Sequence, residues 1–131
     1  CVVTNPPYMG GKGMNAELGD FVKKNYPDSK SDLFAVFMER GFEITKDLGY
    51  MAMITMQSWM FLSSYEKMRE KLLKDYSIST MAHLDSMVMG IAFGTSATVF
   101  NKKKPDANTK GVYFKINLDD LDENREIKGL R

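Results

Sequence analysis

Apolar residues recur along this chain with two different periods, and the change of period marks where predicted strands give way to predicted helices. Val2-Val3-Thr4 predicts a short first strand. The nearly unbroken apolar run from Tyr50 to Met56 is typical of a strand that is covered on both faces of a sheet. Three later segments predict further strands: residues 77–84, 95–101 and 111–116.

Helical spacing is found between the first predicted strands. Glu17 to Asn25 predicts a short helix that Tyr26-Pro27 closes. A second helix is predicted after it, with Ser29 or Ser31 as its N-cap. Its inward face is predicted to carry the recurring apolar residues Leu33, Phe34, Phe37, Met38, Gly41 and Phe42.

A third helix is predicted to follow the strand at 50–56. Ser63 and Glu66 have the spacing of a capping box at its start. Its inward residues are predicted to be Met68, Leu72 and Leu73. Strands dominate the later part of the chain, where short connections favour antiparallel pairing at the sheet edge. The order of elements therefore predicts an α/β fold, the C-terminal half of a Rossmann-like domain with a mixed sheet and flanking helices.

Composition limits the class of protein. The 131 residues suffice for one compact domain, and 44% apolar with 27% charged residues is typical of a globular chain. A net charge of +1 gives no general basic field for nucleic acid. No apolar run approaches the length of a membrane span, and Cys1 is the only cysteine, so we expect a cytoplasmic protein without membrane contact. The start directly at a strand, without Met, predicts a fragment.

The sequence has too few cysteines and histidines for a metal site or a catalytic triad. Cys1 has no thiolate partner for a zinc site, and His83 is the only histidine, so neither a histidine-based metal site nor a catalytic triad is expected. His83 is interpreted as a structural or half-exposed residue within its strand. Enzymes that methylate the carbon of cytosine use a cysteine next to a proline as nucleophile. Cys1 is followed by Val2, so this chemistry is not expected.

The tetrapeptide Asn5-Pro6-Pro7-Tyr8 is the strongest candidate site. Two prolines fix two φ angles and remove two donors, and they leave a rigid row of acceptor oxygens that ends in an aromatic ring. Such a row suits a planar ligand with an amino group, because an amide oxygen and a carbonyl can accept both of its N–H bonds while Tyr8 stacks on the ring. An ordinary turn and a polyproline ligand are the alternatives.

This tetrapeptide resembles the catalytic motif of methyltransferases that act on the exocyclic amine of adenine in DNA. The segments Gly49–Thr55 and Ala92–Ala97 are also similar to this family, in particular to the large bacterial methylases of restriction and BREX phage-resistance systems. The resemblance implies that residues 1–131 are part of a catalytic domain that uses S-adenosylmethionine. The glycine-rich turn and acidic residue that hold this cofactor in the family are not recognisable here, so most of the cofactor site is expected outside this chain.

The resemblance also implies roles for single residues. Asn5 and Pro6 would accept the amine N–H bonds, Pro7 would hold them rigid, and Tyr8 would stack on an adenine flipped out of double-stranded DNA. Phe93 is the candidate for a second base-stacking aromatic. Trp59, just beyond a predicted strand, is a candidate to line the pocket, with core packing as its alternative.

The glycine-rich residues 9–16 are predicted to form a mobile loop beside the substrate. Subunits of a restriction or defence system are further candidate partners. Two other functions stay open: methylation of a protein glutamine or of RNA, and a non-catalytic interaction module of the same fold. The isolated fragment of 131 residues is expected to be inactive.

Overall fold

A mixed five-stranded sheet organises the chain in the computed structural model, which describes residues 1–128. The strands are β1 (Val2–Thr4), β2 (Tyr50–Met56), β3 (Ser77–Leu84), β4 (Thr95–Asn101) and β5 (Val112–Ile116). The helices are α1 (Ala16–Asn25), α2 (Leu33–Ile44) and α3 (Glu66–Asp75). The predicted α/β class, with helices beside a mixed sheet, is confirmed. None of these helices has the length and apolar content that crossing a bilayer requires.

The strand order is β1-β2-β4-β3-β5, with β4 antiparallel to both of its neighbours. β1 is parallel to β2, and β5 is parallel to β3. The expectation that the late strands gather at the edge is therefore wrong for β4, which lies inside the sheet. β2 and β3 occupy both edges of β4, so β5 cannot pair with β4, the strand before it in the chain. It pairs with the free edge of β3 instead.

One face of the sheet carries the hydrophobic core. Helix α2 approaches β2 closely at Gly41, where an added Cβ would lie 2.6 Å from the Cε atom of Met53. Helix α3 packs on the same side, and α1 packs on α2 through Val22 and Val36. The buried cluster consists of Phe34, Ala35, Met38, Phe42, Met51, Met53, Trp59, Tyr65, Met68, Leu72 and Phe100.

The opposite face of the sheet is an apolar surface that the helices of residues 1–128 leave open. Residues paired across strands share a face, so one row of five side chains crosses every strand. The row consists of Val3, Ala52, Val99, Thr80 and Val112. Val3 is 75% exposed, and β2 alternates between buried and half-buried positions. β2 was expected to be covered on both faces. Within residues 1–128 the helices cover one face, and the other is open.

The ends of two helices differ from the sequence prediction. Asp32, and neither Ser29 nor Ser31, caps α2 by accepting a hydrogen bond from the Phe34 backbone N–H at 3.2 Å. The predicted capping box of α3 is also wrong, because Ser63–Tyr65 already form a 3₁₀ turn and no side chain caps Glu66.

Two residues that were predicted to face inward are exposed instead. Phe37 of α2 is 39% exposed, and Leu73 of α3 is 53% exposed. Both lie at the border of the apolar stripe of their helix, where the period alone does not decide which side faces the sheet.

Candidate active site

The tetrapeptide Asn5-Pro6-Pro7-Tyr8 lies at the carboxyl end of β1, beside the carboxyl end of the parallel strand β2. Ligands of open α/β sheets bind at this edge. Asn5 and Pro7 are exposed, Pro6 is buried and Tyr8 is half-buried. The structure therefore presents the Asn5 side chain to solvent from a segment that Pro6 and Tyr8 anchor in the protein.

Two parts of the Tyr8 side chain, its hydroxyl and its ring, make contacts in the protein. Its hydroxyl donates a hydrogen bond to the backbone carbonyl of Ile54 at 3.3 Å. Its ring meets Phe34 edge-on, with 6.1 Å between centroids, and Phe93 at 5.7 Å with 69° between ring planes. Burial raises the pKa of the Tyr8 hydroxyl, so it stays protonated and remains a donor at neutral pH. The two predicted aromatic residues, Tyr8 and Phe93, are thus neighbours.

Asp32 secures the chain just after the tetrapeptide, a role that the sequence analysis missed. Its carboxylate accepts a hydrogen bond from the Met9 backbone N–H at 2.9 Å in addition to the Phe34 N–H at the start of α2. The Leu33 N–H donates to the Met9 carbonyl at 3.0 Å. An Asp directly before an apolar helical stripe is a standard N-cap, and that signal was available in the sequence.

The Asp32 carboxylate also acts on the neighbouring core. Tyr65 is buried, and its pKa is raised to about 12, first by burial and then by the negative charge of Asp32. The same carboxylate therefore holds Met9, directly after the tetrapeptide, and its charge helps to keep the Tyr65 phenol neutral.

Phe93 comes from the loop of residues 85–94 between β3 and β4 and is 37% exposed. At the C-terminal end of this loop, the Gly94 carbonyl accepts a hydrogen bond from the Gln57 backbone N–H at 3.0 Å. The Gln57 side-chain oxygen lies 2.5 Å from His83 Nε2. No sequence pattern singled out Gln57, because strands distant along the chain create its contacts.

Trp59 lies in the core. Its side chain is 3% exposed, and its indole N–H donates to the hydroxyls of Thr55 and Ser96, both at 3.1 Å. The ring packs on Phe100 at 6.0 Å. Because this burial leaves no surface for a ligand, Trp59 is not retained as a substrate-binding candidate.

Residues 9–16 make specific contacts in the structure. The Gly11 backbone N–H donates to the Ser31 carbonyl at 3.1 Å, Gly11–Gly13 form a short 3₁₀ helix, and α1 already begins at Ala16. The mobility of this segment stays a prediction. Its backbone donors are partly used within the protein, which argues against a phosphate cradle.

Comparisons with known proteins show which family this chain resembles. The family model described as Eco57I restriction-modification methylase matches residues 1–88. The chain is 49% identical over 132 residues to the adenine-specific methyltransferase BrxX of Escherichia coli O9:H4 (strain HS), covering 98% of this chain and 10% of that protein. It is 50% identical over 106 residues to the adenine-specific methyltransferase PglX of Lacticaseibacillus casei (strain Zhang), covering 78% and 9%. The chain thus spans about a tenth of these curated relatives.

Solved structures show the same fold at low identity. A candidate class I S-adenosylmethionine-dependent methyltransferase from Listeria monocytogenes matches with a TM-score of 0.63 and 18% identity, over 89% of this chain and 36% of that one. A type I restriction-modification system matches with a TM-score of 0.69 and 21% identity, over 89% and 23%. The type IIL restriction-modification enzyme MmeI in complex with DNA matches with a TM-score of 0.64 and 16% identity, over 88% and 17%.

Proposed function

This chain belongs to the Eco57I restriction-modification methylase family, and from that premise we propose that it holds the target base in an enzyme that methylates the exocyclic amine of adenine in DNA. One observation carries the proposal: Asn5 is exposed at the carboxyl edge of the sheet, in a segment whose Tyr8 ring lies 5.7 Å from that of Phe93. Acceptor oxygens and two aromatic rings are the groups that a flipped base with an amino group requires.

The chemistry follows from the acceptors. The lone pair of the adenine amine is delocalised into the ring, so the nitrogen is a weak nucleophile. The Asn5 side-chain oxygen and the Pro6 carbonyl would accept its two N–H bonds and stabilise the positive charge that develops on nitrogen during methyl transfer. This stabilisation is electrostatic and pre-organised, because the prolines prevent the two oxygens from relaxing away. It requires no general base to remove a proton before transfer.

The methyl donor of the family is S-adenosylmethionine, which supplies an electrophilic methyl group when bound. The described residues do not fit a complete site for it. The glycines at 10–13 are separated from the end of β1 by residues 5–9, and the Gly11 N–H already donates to the Ser31 carbonyl. We propose that most of the cofactor site lies in other parts of the protein, and that residues 1–131 act on the base.

Base binding requires Phe93 to shift. A base between two stacked rings needs about 7 Å between them, twice the usual contact distance of about 3.5 Å. The centroids of Tyr8 and Phe93 are 5.7 Å apart, and the rings meet edge-on. We therefore propose that residues 85–93 of the loop between β3 and β4 move away from Tyr8 as the base enters, after which Tyr8 and Phe93 hold opposite faces of the ring.

Adenine is favoured over the other planar amines, glutamine and RNA bases, because both curated relatives are named adenine-specific methyltransferases. On the same basis we propose double-stranded DNA as partner, a role in restriction-modification or phage defence alongside other subunits, and the bacterial cytoplasm as location. The likeness to a type I restriction-modification system and to MmeI with DNA supports these partners.

The proposal is tested by Asn5→Ala in the full-length protein. Transfer of tritium-labelled methyl groups from S-adenosylmethionine to unmethylated DNA should fall by about a hundredfold, the usual effect of removing one pre-organised polar group from a transition state. Asn108→Ala is the matched control, because Asn108 is exposed and lies in the loop between β4 and β5. Near-normal methylation by Asn5→Ala would remove Asn5 from this role.

A further inference from the structure

The C-terminal end of the Phe93 loop is held by a side chain that the proposed chemistry does not use. The Gln57 amide lies directly against the Cα atom of Gly94: a Cβ placed on Gly94 would come within 2.6 Å of the amide carbon. Gly94 is buried, and its carbonyl accepts the Gln57 backbone N–H. Gln57 therefore contacts the residue next to Phe93 through both its backbone and its side chain.

His83 fixes the orientation of that amide. Its Nε2 atom lies 2.5 Å from the Gln57 Oε1 atom, and in the Nε2-protonated form the imidazole donates to this oxygen. His83 stands in β3 opposite Ser96 of β4. The amide thus joins the end of β2, the strand β3 and the start of β4 at one point.

We infer that Gln57 is a positioning residue for base binding. Held by His83, it fixes Gly94 and thereby sets the place of Phe93 opposite Tyr8. Gln57 carries no charge and acts through Phe93, so its contribution is orientation. This inference rests on the proposed function, because it gives the Tyr8–Phe93 pair its purpose.

The test uses Gln57→Ala in the full-length protein, with unmethylated plasmid DNA and tritium-labelled S-adenosylmethionine as probes. The kcat/KM for DNA should fall about tenfold, since misplacing a binding group by a fraction of an ångström already reduces rates substantially. The KM for S-adenosylmethionine should not change. Gln57→Glu should restore most of the activity, because the carboxylate keeps the length and the acceptor oxygen that face His83. A rise in the cofactor KM, or failure of Gln57→Glu to rescue, contradicts the inference.

Ser58→Ala is the matched control. Ser58 is the next residue, and its side chain makes no hydrogen bond within residues 1–128. Its activity should equal that of the unmodified protein. Both residues lie in the short 3₁₀ helix Gln57–Met60. A loss in Ser58→Ala as large as in Gln57→Ala would indicate general damage to this helix and would overturn the specific role of Gln57.

A double-mutant cycle tests whether Gln57 acts through Phe93. In a Phe93→Ala background, Gln57→Ala should lower kcat/KM by less than about twofold, because the ring that it positions is already gone. Independent, additive losses would refute the inference.

Hydrogen exchange separates the two proposals, since it requires no activity. Backbone amides of residues 85–94 should exchange faster in Gln57→Ala than in the unmodified protein. Faster exchange in a protein that methylates no DNA would leave the positioning role intact and defeat the proposed function. Unchanged exchange in an active enzyme would defeat the positioning role alone.

Discussion

Tyr8 uses the two ends of its side chain for different purposes. Its hydroxyl donates to the Ile54 carbonyl and joins the tetrapeptide to β2, while its ring faces Phe93. The raised pKa of the phenol keeps this donor protonated throughout the neutral range. At the scale of single residues, the hydroxyl therefore contributes to stability, while the ring would contribute to base binding under the proposed function.

Replacing Tyr8 should separate these contributions. Tyr8→Phe removes one partly buried hydrogen bond and should lower the free energy of unfolding by about 1 kcal/mol, with methylation reduced by no more than about threefold. Tyr8→Ala also removes the stacking ring, which is worth about 1–3 kcal/mol per base, so activity should fall by about tenfold to a hundredfold. Thermal unfolding and labelled methyl transfer measure the two effects. If Tyr8→Phe is as inactive as Tyr8→Ala, the hydroxyl has a role in catalysis.

At the scale of elements, the N-terminus of α2 and the segment after the tetrapeptide share one anchor, Asp32. Its carboxylate accepts from Met9 and Phe34, so a single side chain caps the helix and fixes the chain beside the site. This arrangement explains why Asp32 caps α2 although Ser29 and Ser31 stand close by. Ser29 is buried and donates to Glu39 at 2.6 Å, so its hydroxyl is used elsewhere.

Asp32→Ala should therefore lower both stability and activity. Loss of an N-cap costs about 1 kcal/mol of unfolding free energy, and release of the Met9 N–H should loosen the tetrapeptide and reduce methylation. Asp28→Ala is the matched control, since the Asp28 side chain makes no hydrogen bond within residues 1–128. Denaturant unfolding and methyl transfer are the measurements. A stability loss without any loss of activity would show that the tetrapeptide holds its shape without Asp32.

Local patterns were sufficient for most elements and for the position of the tetrapeptide directly after β1. Residues 77–84 and 95–101 were predicted with the observed bounds, because their apolar residues follow the strand period between clear turn residues. The position of β4 between β2 and β3 was not predicted, because strand order depends on contacts between distant parts of the chain. Gln57 was missed for the same reason: its partners, His83 and Gly94, come from other strands.

For the whole molecule, the apolar face of the sheet that the helices of residues 1–128 leave open and the small share of the relatives' length that the chain covers are the two relevant features. The chain spans about a tenth of its curated relatives. Under the proposed function, the cofactor site lies mostly in other parts of the protein.

We therefore expect no tight binding of S-adenosylmethionine to residues 1–131. Isothermal titration calorimetry measures this directly, with the full-length protein as the positive control in the same buffer. Micromolar binding by the 131-residue chain would show that residues of this segment suffice for the cofactor, and it would overturn the division proposed above.

The interior position of β4 has a consequence for the order of events during synthesis. The ribosome delivers β2 and β3 before β4, yet β4 is the strand that pairs with both of them. Until residues 95–101 emerge, β2 and β3 have no common partner. Pairing between strands as far apart in sequence as β2 and β4 forms slowly. Gln57 meets Gly94 only when β4 is inserted. The contact between Gln57 and Gly94 beside Phe93 therefore forms only after β4 has been synthesised, much later than the tetrapeptide itself.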